Sequence, residues 1–135
     1  MTAHEHRSNA QLAIERFRSL SNLHEEFGYN SASVKWLDGF IEHQRTTSDF
    51  ASRTSLIQII GCYLGECIIW TYGGTWKLHE GQWGVFFDDS NAVFPFAKVS
   101  KQFENGHDGG DSISSFFEVI GPVFRKRSGG LALNE

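Results

Sequence analysis

The chain has 135 residues, of which 40% are hydrophobic, 14% aromatic and 21% charged, a balance that specifies one compact domain and excludes disordered and collagen-like chains. A domain of this length buries roughly two-thirds of the surface its unfolded chain exposes, so its core requires neither a disulfide nor a metal. Twelve basic against 16 acidic residues leave a net charge of −4; no overall positive field is present to hold nucleic acid or an anionic membrane, and neither is expected as a partner.

The first residues, Met1 to Asn9, are polar and lack the apolar run of a signal peptide, which points to a cytoplasmic protein; residues 1–7 are expected to be a disordered tail. From Ser8, the residues Ala10, Ala13, Ile14, Phe17, Leu20, His24 and Phe27 recur at three and four positions, predicting a first helix that Gly28 stops. Ser33 can cap a second helix whose Val34, Leu37 and Ile41 form an apolar line, with Trp36 and Phe40 widening it, and which ends near Gln44. The Thr46-Thr47-Ser48-Asp49 cluster offers caps for a long third helix. Phe50, Ile57, Leu64 and Ile68 form its line, and Gly73-Gly74 closes it. The stretch from Leu56 to Trp70 carries Gln58, Gly61, Gly65 and Glu66 and falls short of the roughly 20 residues of a spanning helix, so it reads as a core helix.

After Gly74 the period changes to two. Thr75 to His79, Trp83 to Phe87 and Ala92 to Phe94 read as a three-stranded antiparallel meander, with Trp76 and Leu78 on one face and His79 on the solvent side. Pro95 ends the third strand, and Phe96, Val99 and Phe103 mark a short helix beyond it. Asp111 or Ser112 can cap a last helix buried through Ile113, Phe116, Phe117 and Ile120 and stopped by Gly121-Pro122. The sum is an α+β fold: three N-terminal helices packed on a small three-stranded antiparallel sheet, followed by two short helices. One domain spans residues 8–124, and a mobile tail covers 125–135.

Cys62 and Cys67 lie five residues apart in one helix, which turns them about 140° apart around the axis and prevents a bond between them. They match no zinc spacing and read as buried thiols of a reducing compartment. The histidines are scattered, and His4-Glu5-His6 falls in the expected tail; no metal site and no cofactor are predicted. No nucleophile elbow, Walker loop or dinucleotide fingerprint occurs, so no catalytic residue is assigned and the chain reads as a non-enzyme.

The distinctive segment is Gly61-Cys-Tyr-Leu-Gly-Glu66. Each glycine costs about 1 kcal/mol against alanine inside a helix, and a pair at i and i+4 clears one stripe for a close neighbour, for which Trp36, Trp76 and Trp83 are candidates. Glu66, flanked by apolar residues, either accepts from a tryptophan indole N–H or a strand amide to lock helix to sheet or serves as a general acid or base in an aromatic-lined pocket. The direction in which Glu66 points separates the two: a sealed helix–sheet contact favours a binding protein, an open pocket an enzyme or small-ligand protein.

Residues 73 to 124 hold seven acids against Lys77, Lys98 and Lys101. Asp88 and Asp89 in one turn, with Glu104, Asp108 and Asp111 in a later loop, can form an acidic edge that steers a basic protein surface. The Gly61-x-Tyr-Leu-Gly-Glu66 helix, the Trp76 strand and Pro95-Phe-Ala-Lys-Val99 together resemble a family of small uncharacterised bacterial domains with a Tyr-Leu-Gly-Glu helix and a Pro-Phe-x-x-Val segment, over about residues 55–120. The resemblance implies a bacterial origin and structural roles for Gly61, Gly65, Glu66, Trp76 and Pro95. Small acidic domains of this kind look like immunity proteins that neutralise interbacterial toxins, which makes a basic toxin domain the expected partner.

Overall fold

A computed structural model describes residues 1–127, with side chains described to Val123. Its α-helices are α1 (Ala3–Leu20), α2 (Ser31–Thr47), α3 (Phe50–Tyr72), α4 (Pro95–Asn105) and α5 (Ile113–Arg127), and its strands are β1 (Thr75–His79), β2 (Gln82–Phe86) and β3 (Ala92–Val93). The α+β order expected from the sequence is the order found.

The helix α3 is the axis of the fold. Every residue from Ile60 to Ile68 is buried, so this stretch has no solvent face, as an all-round apolar helix demands. By length and composition α3 could cross a membrane, but half of that stretch is covered by the rest of the chain. Helices α1 and α4 pack along it, α2 packs on α4 and α5, and the sheet meets α3 and α4 through β2. The strands run antiparallel in the order β1-β2-β3, and their register aligns Trp76, Val85 and Val93 across the sheet. All three are buried and form the inward row that seals the sheet against the helices. Glu80 and Gly81, both at positive φ, make the tight β1–β2 connection.

Several boundaries differ from the sequence expectation. The helix α1 begins at Ala3, capped by Thr2, so residues 3–7 belong to the fold and the disordered tail is corrected. It also stops at Leu20. Ser21 closes it, and His24 falls in a separate 3₁₀ turn with φ +50°, a conformation no α-helix contains. Asn30, not Ser33, caps α2, which runs three residues beyond Gln44, and Asp49 caps α3. Phe50 and Leu78, both assigned to inward faces, are 85% and 60% exposed, because each lies at the far end of its element, past the edge of the core. Pro95 starts α4 at its first turn, where its missing N–H costs no helical bond. Ser112, rather than Asp111, supplies the side-chain oxygen at the start of α5, accepting from Ser115 N at 3.1 Å. Gly121-Pro122 does not end α5, which continues to Arg127 with Pro122 inside it. The tail expected over 125–135 is therefore helical through Arg127, and 128–135 lie outside the described residues.

Candidate functional site

The glycine stripe of α3 is filled by two rings. A Cβ built on Gly65 would stand 2.1 Å from the Trp76 ring, and one on Gly61 would stand 2.2 Å from Phe96. Trp76, one of the three candidate tryptophans, is thus the neighbour of Gly65, while Phe96 of α4 takes the place beside Gly61. Such distances exclude any side chain at either position without movement of an aromatic wall.

The close approach of Trp76 brings its indole N–H to Glu66. Trp76 Nε1 donates to Glu66 Oε2 at 2.7 Å, and Arg7 Nε of α1 lies 3.7 Å from Oε1. Glu66 is 2% exposed, so its carboxyl group is sealed between α1, α3 and β1. Both oxygens have structural partners, and the side chain faces a helix–sheet contact.

Next to this contact lies a residue that the sequence reading assigned to the tail. His6 is 1% exposed and packs against Trp76, Trp83 and Phe96, with ring centroids 4.5, 4.8 and 5.3 Å away. Its Nδ1 lies 3.6 Å from Cys62 Sγ, while Nε2 is buried with no hydrogen-bond partner. Burial holds the His6 pKa below the ordinary 6.5, so the ring is neutral at pH 7. A cavity of about 410 Å³ opens beside it, lined by His6, Gln58, Gln82, Trp83, Phe94 and Phe96 among others. The signal was present in the sequence: His6, Ala10, Ala13 and Phe17 continue the apolar stripe of α1 back by one turn.

The cysteines are both buried and free, as expected. Burial pushes the Cys62 thiol up to about 11 and the Cys67 thiol up to about 12. Neither supplies a thiolate nucleophile at neutral pH. Tyr63, also raised by burial, donates to the Gly28 carbonyl at 2.6 Å and ties α3 to the segment between α1 and α2.

The acidic residues divide into two settings. Asp88 and Asp89 are exposed in the β2–β3 turn, where Asp88 accepts from Ser90 N at 2.8 Å and Asp89 stands 3.7 Å from Lys77. Glu104 and Asp108 are exposed around the α4–α5 connection. Asp111 is held there by Lys98 at 3.1 Å and Asn105 at 2.9 Å, and these two hydrogen bonds keep its carboxyl below the usual carboxylate range.

A second buried polar cluster escaped the sequence reading. Asp38 of α2 accepts from Gln102 Nε2 at 3.2 Å, from Ser114 N at 3.0 Å and from the Ser112 hydroxyl, and Gln102 Oε1 accepts from Ile113 N at 2.8 Å. These bonds satisfy two open amides at the start of α5 from other helices, Ser114 N by the Asp38 carboxyl and Ile113 N by the Gln102 carboxamide oxygen. Its partners lie 64 to 76 residues away in the chain. The trace in the sequence is an acid beside Leu37 on the buried line of α2.

No family model, curated protein or solved structure matches the chain.

Proposed function

We propose that this protein is a non-catalytic cytoplasmic binding protein of bacterial origin, whose acidic surface captures a basic protein such as the toxin domain neutralised by an immunity protein. The observation that carries this reading is the placement of Glu66. Its carboxyl accepts the Trp76 indole N–H in a sealed contact, so the acid with the strongest claim to chemistry serves packing instead. Asp88, Asp89 and Asp108, by contrast, are exposed in the connections between elements and Glu104 in the last turn of α4, where side chains meet a partner without disturbing the core. Charge of this kind acts mainly on the association rate.

The test is to co-express the protein with the product of its neighbouring gene and to measure their association by stopped-flow at several salt concentrations. Protection of growth, with association that slows as salt rises, supports the reading. The combined Asp88→Ala, Asp89→Ala, Glu104→Ala and Asp108→Ala variant should associate more slowly and with a flatter salt dependence. A partner bound at an unaltered rate and salt slope by this variant places the interface elsewhere and refutes the acidic-surface reading.

A further inference from the structure

We propose that the cavity beside His6 binds a small hydroxyaromatic molecule, whose ring lies between Trp83, Phe94 and Phe96 and whose hydroxyl pairs with His6 Nε2. This site is separate from the acidic turns, and its fate does not depend on theirs.

Three observations converge on that chemistry. The first is the orphaned atom: His6 is almost fully buried, its Nδ1 faces Cys62, and Nε2 has no protein partner and is itself closed to solvent behind the cavity wall, so a guest reaches it by displacing that wall slightly. A buried ring nitrogen without a partner is costly, and a ligand that supplies the missing hydrogen bond recovers the loss. The second is the wall. Trp83, Phe94 and Phe96 line the cavity, and aromatic faces and edges favour a flat aromatic guest over an aliphatic one. The third is charge and size. The side chains of His6, Gln58 and Gln82 are uncharged, and the charge beside them is the N-terminal ammonium of Met1, which also lines the cavity and helps to lower the His6 pKa, so a neutral, weakly acidic hydroxyl suits the site better than a cation. A volume of about 410 Å³ lies within the range of small-molecule sites and accommodates a bicyclic ring.

A hydroxyl suits Nε2 in either tautomer. With Cys62 S–H donating to Nδ1, Nε2 carries the proton and donates to the ligand oxygen; with Nδ1–H facing sulfur, Nε2 accepts from the ligand O–H. Burial keeps the Cys62 proton in place at neutral pH, so the thiol is able to donate in the first arrangement.

The experiment titrates the intact protein with 2-naphthol and, as the same shape without the hydroxyl, with naphthalene, following tryptophan fluorescence and the imidazole nitrogen resonances of His6. Saturable binding of 2-naphthol about three- to tenfold tighter than naphthalene, with a shift of the Nε2 resonance, is the expected result. His6→Phe should remove the preference and leave the two ligands equal. The resonance measurement needs only the unmodified protein, so it decides the question even where the variant fails to fold. Absence of saturable binding, equal affinities, or binding that leaves Nε2 unshifted overturns the proposal.

Discussion

Gly65→Ala adds a single methyl group at the point where α3 and the sheet come closest, and its sign is set by two opposed terms. Alanine favours a helix interior over glycine by about 1 kcal/mol. Against that gain, the new Cβ would stand 2.1 Å from the Trp76 ring, which would have to withdraw by about 1.3 Å to reach the 3.4 Å of ordinary contact. The ring has nowhere to go. It is 5% exposed, His6 and Phe96 pack against it, and its N–H is fixed on Glu66 at 2.7 Å. Overpacking costs about 1–3 kcal/mol, and stretching the indole bond leaves a buried carboxyl group short of a donor at about 1.5–3 kcal/mol.

The net expectation is a destabilisation of about 2–4 kcal/mol. At roughly 2.1 cal/mol/K per residue of unfolding entropy, that lowers the Tm by about 7–14 °C. Gly39→Ala is the matched control: it changes the same residue type inside α2, with no atom within 4 Å of the new Cβ. Only the helix gain acts there, so its Tm should rise slightly. Melting curves by circular dichroism, run side by side, read both signs at once. A Gly65→Ala protein that melts at or above the unmodified chain would refute the view that close Trp76 packing selects glycine here.

Further expectations rest on the two polar clusters and on the buried titratable groups. Trp76→Phe removes the indole donor and should cost about 2–3 kcal/mol in urea unfolding, whereas Glu66→Gln retains an acceptor and loses only the contact with Arg7, itself 61% exposed, so its cost should stay below about 1 kcal/mol; equal costs would contradict these roles. Asp38→Ala should destabilise by about 2–4 kcal/mol and speed amide exchange at Ser114, whose N–H loses its acceptor; unchanged exchange there would rule out a capping role. On the acid side, folded His6 has a lowered pKa, so its contribution is intact above pH 6.5 and is lost as the pH falls through the folded value. On the alkaline side, Cys62 is raised from 9.0 to about 11, so stability is intact below pH 9 and falls by about 1.4 kcal/mol per pH unit on the way to 11. Cys62→Ala should flatten that alkaline slope in urea midpoints measured from pH 8 to 11, and an unchanged slope would show that the thiol does not titrate as its burial requires.

The sequence made most of the fold legible where one local signal dominated. Period-two alternation after Gly74 located the strands, and the glycine pair in α3 announced a close neighbour that proved to be Trp76 beside Gly65. Of the two structural donors the sequence offers Glu66, an indole or a strand amide, the indole is the one found. Legibility failed where a polar residue occupied an apolar face. By composition His4-Glu5-His6 reads as a polar tail, although the spacing of His6 continues the α1 stripe. Asp38 gave still less warning, since its bonds reach α4 and α5 across more than 60 residues and no local pattern encodes them. Pro122 misled in the opposite direction. A proline normally ends a helix, but Tyr72 packs against neighbouring Gly121 and donates to the Phe117 carbonyl at 2.9 Å, so tertiary contacts support the backbone where the helix would break.

The two polar clusters also bear on how the fold responds to a perturbation at either one. Glu66 and His6 join α1, α3 and the sheet, whereas Asp38 and Gln102 join α2, α4 and α5. The helix α4 belongs to both: Phe96 at its start packs between Gly61 and His6, and Gln102, six residues on, bonds to Asp38. Six residues of helix span about 9 Å, so α4 is a short rigid strut between the clusters. No contiguous half of the chain contains either cluster complete, because α1 must reach β1 and α2 must reach α5. Loss of α5 would leave Asp38 buried without the Ser114 amide, and loss of α1 would leave Glu66 without Arg7 and expose the Trp76 face. The chain is therefore expected to unfold as one cooperative unit, and a guest pressed against Phe96 stabilises the whole domain rather than the His6 end alone.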